Sequence, residues 1–83
     1  MTGLERISGP WRSYWVAAYT VEFGGLRVGY AKISHERPST VWDDDGYPFM
    51  KVSYEALTHE EALEGVESVA RSAIARSRQM NLF

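Results

Sequence analysis

Three consecutive aspartates, Asp43 to Asp45, are the residues of this 83-residue chain that most suggest metal chemistry. A calcium loop of the EF-hand type needs oxygen ligands at alternate positions, a glycine sixth and a glutamate twelfth. Counting from Asp44, Glu55 is twelfth, but Phe49 is sixth. Contiguous side chains cannot all point to one ion without unusual backbone. We therefore interpret the aspartates as part of a solvated turn and expect no metal, with a weak adventitious cation site as the alternative.

The two histidines, His35 and His59, are the other side chains suited to acid-base chemistry. Neither has a nucleophile or an orienting carboxylate at a known spacing. The glycines of "EFGGLRVG" lack the spacing of a phosphate-binding loop, and the chain has no cysteine for a thiolate or a disulfide. We therefore expect a protein that is not an enzyme and that uses no cofactor.

Length and composition favour a single folded domain. Hydrophobic residues make up 45% of the chain and charged residues 24%, which is typical of a globular protein. The N-terminal residues lack the apolar stretch of a signal peptide, and no stretch approaches the roughly 20 apolar residues of a membrane span. We expect the cytoplasm as the location and no interaction with a membrane.

A glycine hairpin is the clearest structural signal. Gly24-Gly25 supplies the positive φ angles of a two-residue turn and joins two segments rich in aromatic and β-branched residues. A turn centred there sets the strand register. The expected pairs are Phe23 with Leu26, Val21 with Val28, Tyr19 with Tyr30, Glu22 with Arg27 and Val16 with Ile33.

A third strand over about 49–55 and a helix over about 59–78 complete the prediction. Thr58 and Glu61 form the pattern of a capping box at the helix start. The expected fold is α+β, a three-stranded antiparallel β-meander with one C-terminal amphipathic helix packed on one face. Residues 1–11 are expected to form an irregular N-terminal arm, 12–78 the single β-β-β-α domain, and 79–83 a C-terminal tail.

The apolar stripe of the helix is mostly small, so we expect it to pack on the sheet face that carries the large side chains. That face would hold Trp15, Tyr19, Phe23, Leu26, Val28, Tyr30, Val52 and Tyr54. The reverse face, with Tyr14, Ile33 and Phe49, would stay open as a contiguous patch for a protein partner. Its cover would be the N-terminal arm or, second, another copy of the chain.

The loop from about 35 to 48 is the other candidate for partner binding, because loops of this length in small domains are often functional. It carries Trp42 and Tyr47, residue types that dominate binding hot spots. Either these side chains fold back to cover the core or a sheet edge, or Trp42 is an exposed anchor for a partner.

The helix itself shows two further features. Glu67 precedes Arg71 by one turn, which predicts an ion pair. Gly65 indicates either a close approach to the helix backbone or a tolerated glycine, and we favour tolerance.

The segments "SYWVAAYTVEFGG", "LRVGYAKI" and "LTHEEALEGVESVARSAI" cover most of residues 13–74. Together they resemble a loosely defined group of small, stand-alone bacterial domains of uncharacterised function. The resemblance implies a β-β-β-α fold and supplies no functional residues. The same order of elements resembles the sheet and last helix of double-stranded RNA-binding domains, which implies a role with nucleic acid.

Nucleic-acid binding is the alternative function. The basic residues that would serve it lie in the N-terminal half and are Arg12, Arg27, Lys32 and Arg37. Between positions 38 and 67, however, eight acidic side chains stand against Lys51 alone, and Glu60 and Glu61 occupy the helix start, where RNA-binding modules place lysines. Such a surface repels phosphate. A non-catalytic protein-interaction domain, which binds another protein or a second copy of itself, is therefore the first hypothesis.

Overall fold

The computed structural model describes residues 3–42 and 50–80, which form one antiparallel sheet and one helix. The elements are β1 (Glu5–Trp11), β2 (Tyr14–Phe23), β3 (Leu26–Ser34), β4 (Met50–Ala56) and α1 (His59–Met80). The strands lie in the order β1-β2-β3-β4, so each pairs with its neighbour along the chain. The α+β class with an antiparallel sheet is confirmed. The prediction of three strands is wrong, because the sheet has four.

The additional strand, β1, is the segment expected to be an irregular arm. It pairs with β2 from Glu5 opposite Tyr19 onward, and the register shifts between Ser8 and Trp11. Its connection to β2 is a two-residue turn in which Arg12 and Ser13 have φ angles of 52° and 73°. Those angles favour glycine, asparagine or aspartate, so an Arg-Ser turn gives no hairpin signal in the sequence.

The glycine hairpin between β2 and β3 is confirmed in position and register. Phe23 lies opposite Leu26, Tyr19 opposite Tyr30 and Val16 opposite Ile33. Both turn glycines have positive φ, 56° and 86°. On the far side of β3, the register with β4 brings the even-numbered residues of β4 to the same face as Ile33.

The helix packs on the face of the sheet opposite to the one predicted. The core that it forms with the sheet consists of Tyr14, Val16, Ala18, Ala31, Ile33, Leu63, Val66, Ala70, Ala73 and Ile74. The predicted apolar stripe of the helix is thus the buried one. Of the side chains expected under the helix, only those of β4, such as the partly buried Val52, lie on that side.

Close approach of helix and strand explains this choice of face. A Cβ atom added to Gly29 would lie 2.4 Å from the carbonyl oxygen of Ala62 and 3.0 Å from the Cβ of Val66, so the helix backbone rests almost directly on β3. The short side chains of Ala18 and Ala31 likewise let the helix approach the neighbouring parts of the sheet. Small residues on both layers bring the layers together, whereas aromatic rings would hold them apart.

Gly65 is also a position of close contact, but with a side chain instead of backbone, so close approach accounts for this glycine better than tolerance alone. A Cβ atom there would lie 2.2 Å from the ring of Tyr54 in β4. The missing side chain therefore leaves space for an aromatic ring against the helix backbone.

The helix begins where the capping pattern predicts. The Thr58 hydroxyl accepts a hydrogen bond from the Glu61 amide at 3.1 Å and donates to the Glu61 carboxylate at 3.3 Å. The Ala62 amide donates to the Thr58 carbonyl at 3.0 Å. In the part of the chain that the structure describes, this helix is not apolar enough to cross a membrane.

Candidate protein-binding surface

The sheet face that lies away from the helix is the candidate functional surface, and we call it the open face. It is formed by alternate residues of the four strands. Its members are Glu5, Ile7, Trp15, Ala17, Tyr19, Val21, Phe23, Leu26, Val28, Tyr30, Lys32, Lys51, Ser53 and Glu55. Most of the large side chains of the sheet are therefore on the face without the helix.

Three stacked aromatic rings form the centre of the open face. The ring of Tyr19 lies 5.5 Å from that of Tyr30 and 4.4 Å from that of Trp42, centroid to centroid. The Trp42 indole N–H donates to the Glu5 carboxylate at 3.1 Å. Val41 is buried, so the start of the loop lies on the sheet. Trp42 is nevertheless 55% exposed, which leaves part of its ring open to a partner.

The hairpin end of the open face is apolar and exposed. Phe23 is 76% exposed and Leu26, directly opposite on β3, is 37% exposed. Leu57, which follows β4 at the same end of the sheet, is 72% exposed. With Tyr30 at 40%, Phe23 and Leu26 continue the aromatic centre to the tip of the hairpin. Exposed large apolar residues gathered on one face are typical of an interaction site.

The other end of the open face is basic. Lys32 lies directly opposite Lys51 across β3 and β4. Arg37 places its guanidinium carbon 5.6 Å from the ring centroid of Trp15. The open face thus passes from an apolar end through an aromatic centre to a positively charged end.

The predicted open patch is not open. Tyr14 is 5% exposed and Ile33 is fully buried, because both lie beneath the helix. The prediction that they face solvent is wrong, because the helix packs closely on the sheet face that carries the small residues. Phe49 and Tyr47 lie outside the described residues. Trp42 combines both alternatives, because it packs on Tyr19 and remains half-exposed.

The sequence analysis predicts that Tyr30, Phe23 and Leu26 lie in the core. It therefore does not identify them as surface residues. The signal that would have found them is the distribution of small residues. Gly29 and Ala31 on β3 share a face with Ala18 on β2, and only that face admits a closely packed helix.

The four basic residues of the nucleic-acid hypothesis do not form one surface. Arg27 is at the hairpin end and pairs with Glu22 at 3.1 Å. Arg12 is in the β1-β2 turn, with its guanidinium carbon 4.9 Å from the ring centroid of Trp11. The eight-residue step along β2 from Tyr14 to Glu22, the residue opposite Arg27, separates these two ends by about 26 Å at roughly 3.3 Å per residue. Lys32 and Arg37 alone share the basic end of the open face.

An ion pair joins β1 to the helix on the covered face. Arg6 binds the carboxylate of Glu67 through two guanidinium nitrogens, with Nε 3.0 Å from Oε2. Glu67 is 5% exposed, whereas the Arg6 side chain is 49% exposed. The hydrogen bond to Glu67 raises the pKa of Arg6, against the opposing effect of burial. The predicted partner of Glu67 was Arg71, and the partner found is 61 residues away.

The histidines have structural contacts. Nδ1 of His59 lies 2.8 Å from the hydroxyl of Thr20, which also accepts a hydrogen bond from the Leu4 amide at 2.8 Å. The ring of His35 lies 4.4 Å from the ring of Tyr14. Within residues 3–42 and 50–80, no three histidine or acidic side chains are grouped to hold a metal ion. Asp43 to Asp45 lie outside that part of the chain.

The fold and the surface together define a class: a single antiparallel sheet with one face covered by a helix and the other presenting stacked aromatic residues. No protein-family model, curated protein or solved structure matches the chain.

Proposed function

We propose that this protein is a small non-catalytic binding domain whose open face contacts a protein partner. The supporting observation is the row of exposed apolar and aromatic side chains, Phe23, Leu26, Tyr30 and Trp42, on the face that the helix leaves uncovered. Tyrosine and tryptophan provide large contact areas with little loss of side-chain entropy, which is why they dominate hot spots. We propose the cytoplasm as the location of this binding.

The stacking of the aromatic centre supports the same function. Tyr19 is held between Tyr30 and Trp42, and Glu5 fixes the indole through its hydrogen bond. A partner would meet side chains that are already ordered, so binding loses less conformational freedom than it would with mobile rings.

Two tyrosines of similar exposure provide a matched test. Tyr30 is 40% exposed on the open face, and Tyr54 is 43% exposed on the helix side of the sheet. Partners captured from an extract by the wild-type chain are identified, purified and titrated against the wild type and both alanine variants. Tyr30→Ala is expected to raise the Kd at least about tenfold, the effect of removing a hot spot, while Tyr54→Ala retains binding. Equal binding by the two variants would contradict the proposal.

The basic end of the open face supports a second function, binding of single-stranded nucleic acid. Lys32, Lys51 and Arg37 lie beside the stacked rings, and proteins of that kind combine basic side chains with aromatic platforms for the bases. Titration of the chain with single-stranded and double-stranded RNA and DNA over a salt series tests it. This function requires an affinity that falls steeply with salt, and absent or salt-insensitive binding would dismiss it.

A further inference from the structure

Among the described residues, β4 is an edge strand of the sheet. β4 is the last strand in the sheet order, and β3 is its only strand neighbour within residues 3–42 and 50–80. An edge strand presents unpaired N–H and C=O groups to any further strand that fits its side chains. The side-chain pattern of β4 therefore determines what can pair with it.

The alternation of hydrogen bonds across the sheet shows which groups of β4 point outward. The Thr20 amide donates to the Leu4 carbonyl at 2.9 Å, so even-numbered residues of β2 bond to β1. Antiparallel strands bond to their two neighbours through alternate residues. The odd-numbered residues of β2 therefore bond to β3, and the register between β2 and β3 makes their partners the even-numbered residues of β3. The odd-numbered residues of β3 are then left to bond to β4, where their partners are the even-numbered residues. The backbone groups of Lys51, Ser53 and Glu55 then point away from the sheet.

The side chains of these three residues are complementary to those of the same segment in an antiparallel second copy. An antiparallel copy of β4 centred on Ser53 places Lys51 opposite Glu55 of the second copy, and Glu55 opposite its Lys51. All three side chains are exposed and lie on the open face. On the helix side, the same alignment brings Val52 opposite Tyr54 of the second copy, an aliphatic and aromatic pair that favours strand pairing.

We infer that β4 pairs antiparallel with β4 of a second copy of this chain, about a two-fold axis at Ser53. The outward groups at the three positions exchange about six main-chain hydrogen bonds, and two Lys51-Glu55 ion pairs flank the axis. The two sheets become one continuous sheet with both helices on the same side. This inference goes beyond the proposed binding at the open face and does not depend on it.

The charge on Lys51 favours the second copy. Lys51 lies directly opposite another lysine, Lys32, within the chain. The paired strand brings a carboxylate to the free side of Lys51. The pairing therefore adds an opposite charge where the sheet has concentrated like charges.

The opposite edge of the sheet is unsuited to the same pairing. β1 contains Pro10, which has no N–H to donate, and its register shifts between Ser8 and Trp11. A proline and an irregular register both protect an edge strand from further strands. The sheet has one blocked edge and one regular edge, which limits the assembly to a dimer.

The helices leave room for the pairing. Ala62 packs against β3 at Gly29 and Gly65 against β4 at Tyr54, so the helix lies over these two strands. With strands about 4.8 Å apart, the two helix axes would be about 10–14 Å apart across the new pair. Packed helices need about 8–10 Å, so the two copies meet without a clash.

Charge exchange at β4 tests the inference. The dimer dissociation constant is measured by sedimentation equilibrium for the wild type, Lys51→Glu, Glu55→Lys and the double variant, with circular dichroism to confirm folding. Each single change replaces two attractive pairs by two repulsive ones and is expected to raise the Kd at least about tenfold. The double variant restores opposite charges and is expected to recover wild-type affinity.

A cysteine variant tests the register directly, because the chain has no cysteine of its own. In Ser53→Cys, the two thiols would face each other across the axis with Cα atoms about 5.5 Å apart, within disulfide range. Mild oxidation is expected to give a covalent dimer. Ser13→Cys, in the β1-β2 turn, is the control and is expected to form no covalent dimer.

Two results would overturn the inference. One is a chain that remains monomeric at about 1 mM, a concentration that reveals even weak pairing. The other is a dimer whose Kd does not respond to the charge changes but rises in Tyr30→Ala, because that dimer would use the open face. The second result would leave the proposed function standing, so the two ideas fail separately.

Discussion

The two faces of the sheet differ in the size of their side chains and in what covers them. The covered face has Gly29, Ala18 and Ala31 at its centre and carries the helix in close contact. The open face has the rings of Tyr19 and Tyr30 at its centre, with Trp42 packed against Tyr19. The difference shows that a helix with a small apolar stripe packs where the backbones can approach. The large side chains are then left on the open face.

Gly29→Ala should give the largest loss of stability, because the new methyl group would meet the backbone of the helix. The added Cβ would lie 2.4 Å from the Ala62 carbonyl oxygen, which cannot move without the helix. We expect a loss of about 3 kcal/mol in unfolding free energy by urea titration, the upper end of the range for overpacking. Gly65→Ala is the control.

In Gly65→Ala the methyl group meets the ring of Tyr54, an exposed side chain that can turn away, and alanine favours the helix by about 1 kcal/mol. Its loss should be much smaller. Equal losses in the two variants would contradict the close seating of the helix at Gly29.

Arg6→Met should have the next largest effect, because it leaves the buried Glu67 carboxylate without its cation. Removing one partner of a fully buried pair costs about 3–5 kcal/mol. Water can reach the half-exposed Arg6 position, so we expect about 2 kcal/mol by urea titration. Arg71→Met, one turn after Glu67 on the exposed side of the helix, is the control and should change stability by less than about 0.5 kcal/mol. An equal loss in both variants would mean that the Arg6 contact is not stabilising.

Thr58→Ala should cost about 1 kcal/mol, the usual effect of losing a helix N-cap. The Thr58 hydroxyl accepts the Glu61 amide, and this contact fixes the helix start beside β4. Thermal unfolding followed by circular dichroism measures the loss. Thr58→Ser keeps the hydroxyl and should retain most of the stability, and a serine variant as unstable as the alanine variant would argue against the cap.

Phe23→Ser should have the smallest effect on stability, less than about 0.5 kcal/mol, because a 76% exposed side chain has few contacts to lose. Its matched partner is Val16→Ser on the same strand, which is 3% exposed on the covered face and should destabilise the chain strongly. Urea titration of the pair compares the two faces directly. A Phe23 variant as unstable as the Val16 variant would show that the open face is part of the core.

The sequence predicts those parts of the fold that depend on local signals. Gly24-Gly25 defines the hairpin and its register, and Thr58 with Glu61 defines the helix start. β1 escapes prediction because Arg12 and Ser13 adopt positive φ angles that their residue types rarely take.

The choice of sheet face escapes prediction for another reason. It depends on how closely two backbones can approach, a property of Gly29 together with Ala62 that neither residue shows alone. Among the candidate site residues, Trp42 stays a candidate, because it lies half-exposed on the open face. Tyr30 and Phe23 were predicted to be buried and are exposed, whereas Tyr14 and Ile33 were predicted to be exposed and are buried. Both errors come from assigning the helix to the wrong face of the sheet.

The most direct test of the account is side-chain NMR in the presence of a soluble paramagnetic gadolinium chelate, which broadens signals of exposed groups. The account predicts strong broadening of the Phe23, Tyr30 and Trp42 ring signals and little effect on the methyl groups of Val16 and Ile33. The reverse pattern, with protected rings and broadened Val16 and Ile33 methyl groups, would place the helix on the aromatic face. That result would contradict both the fold and the binding surface derived from it.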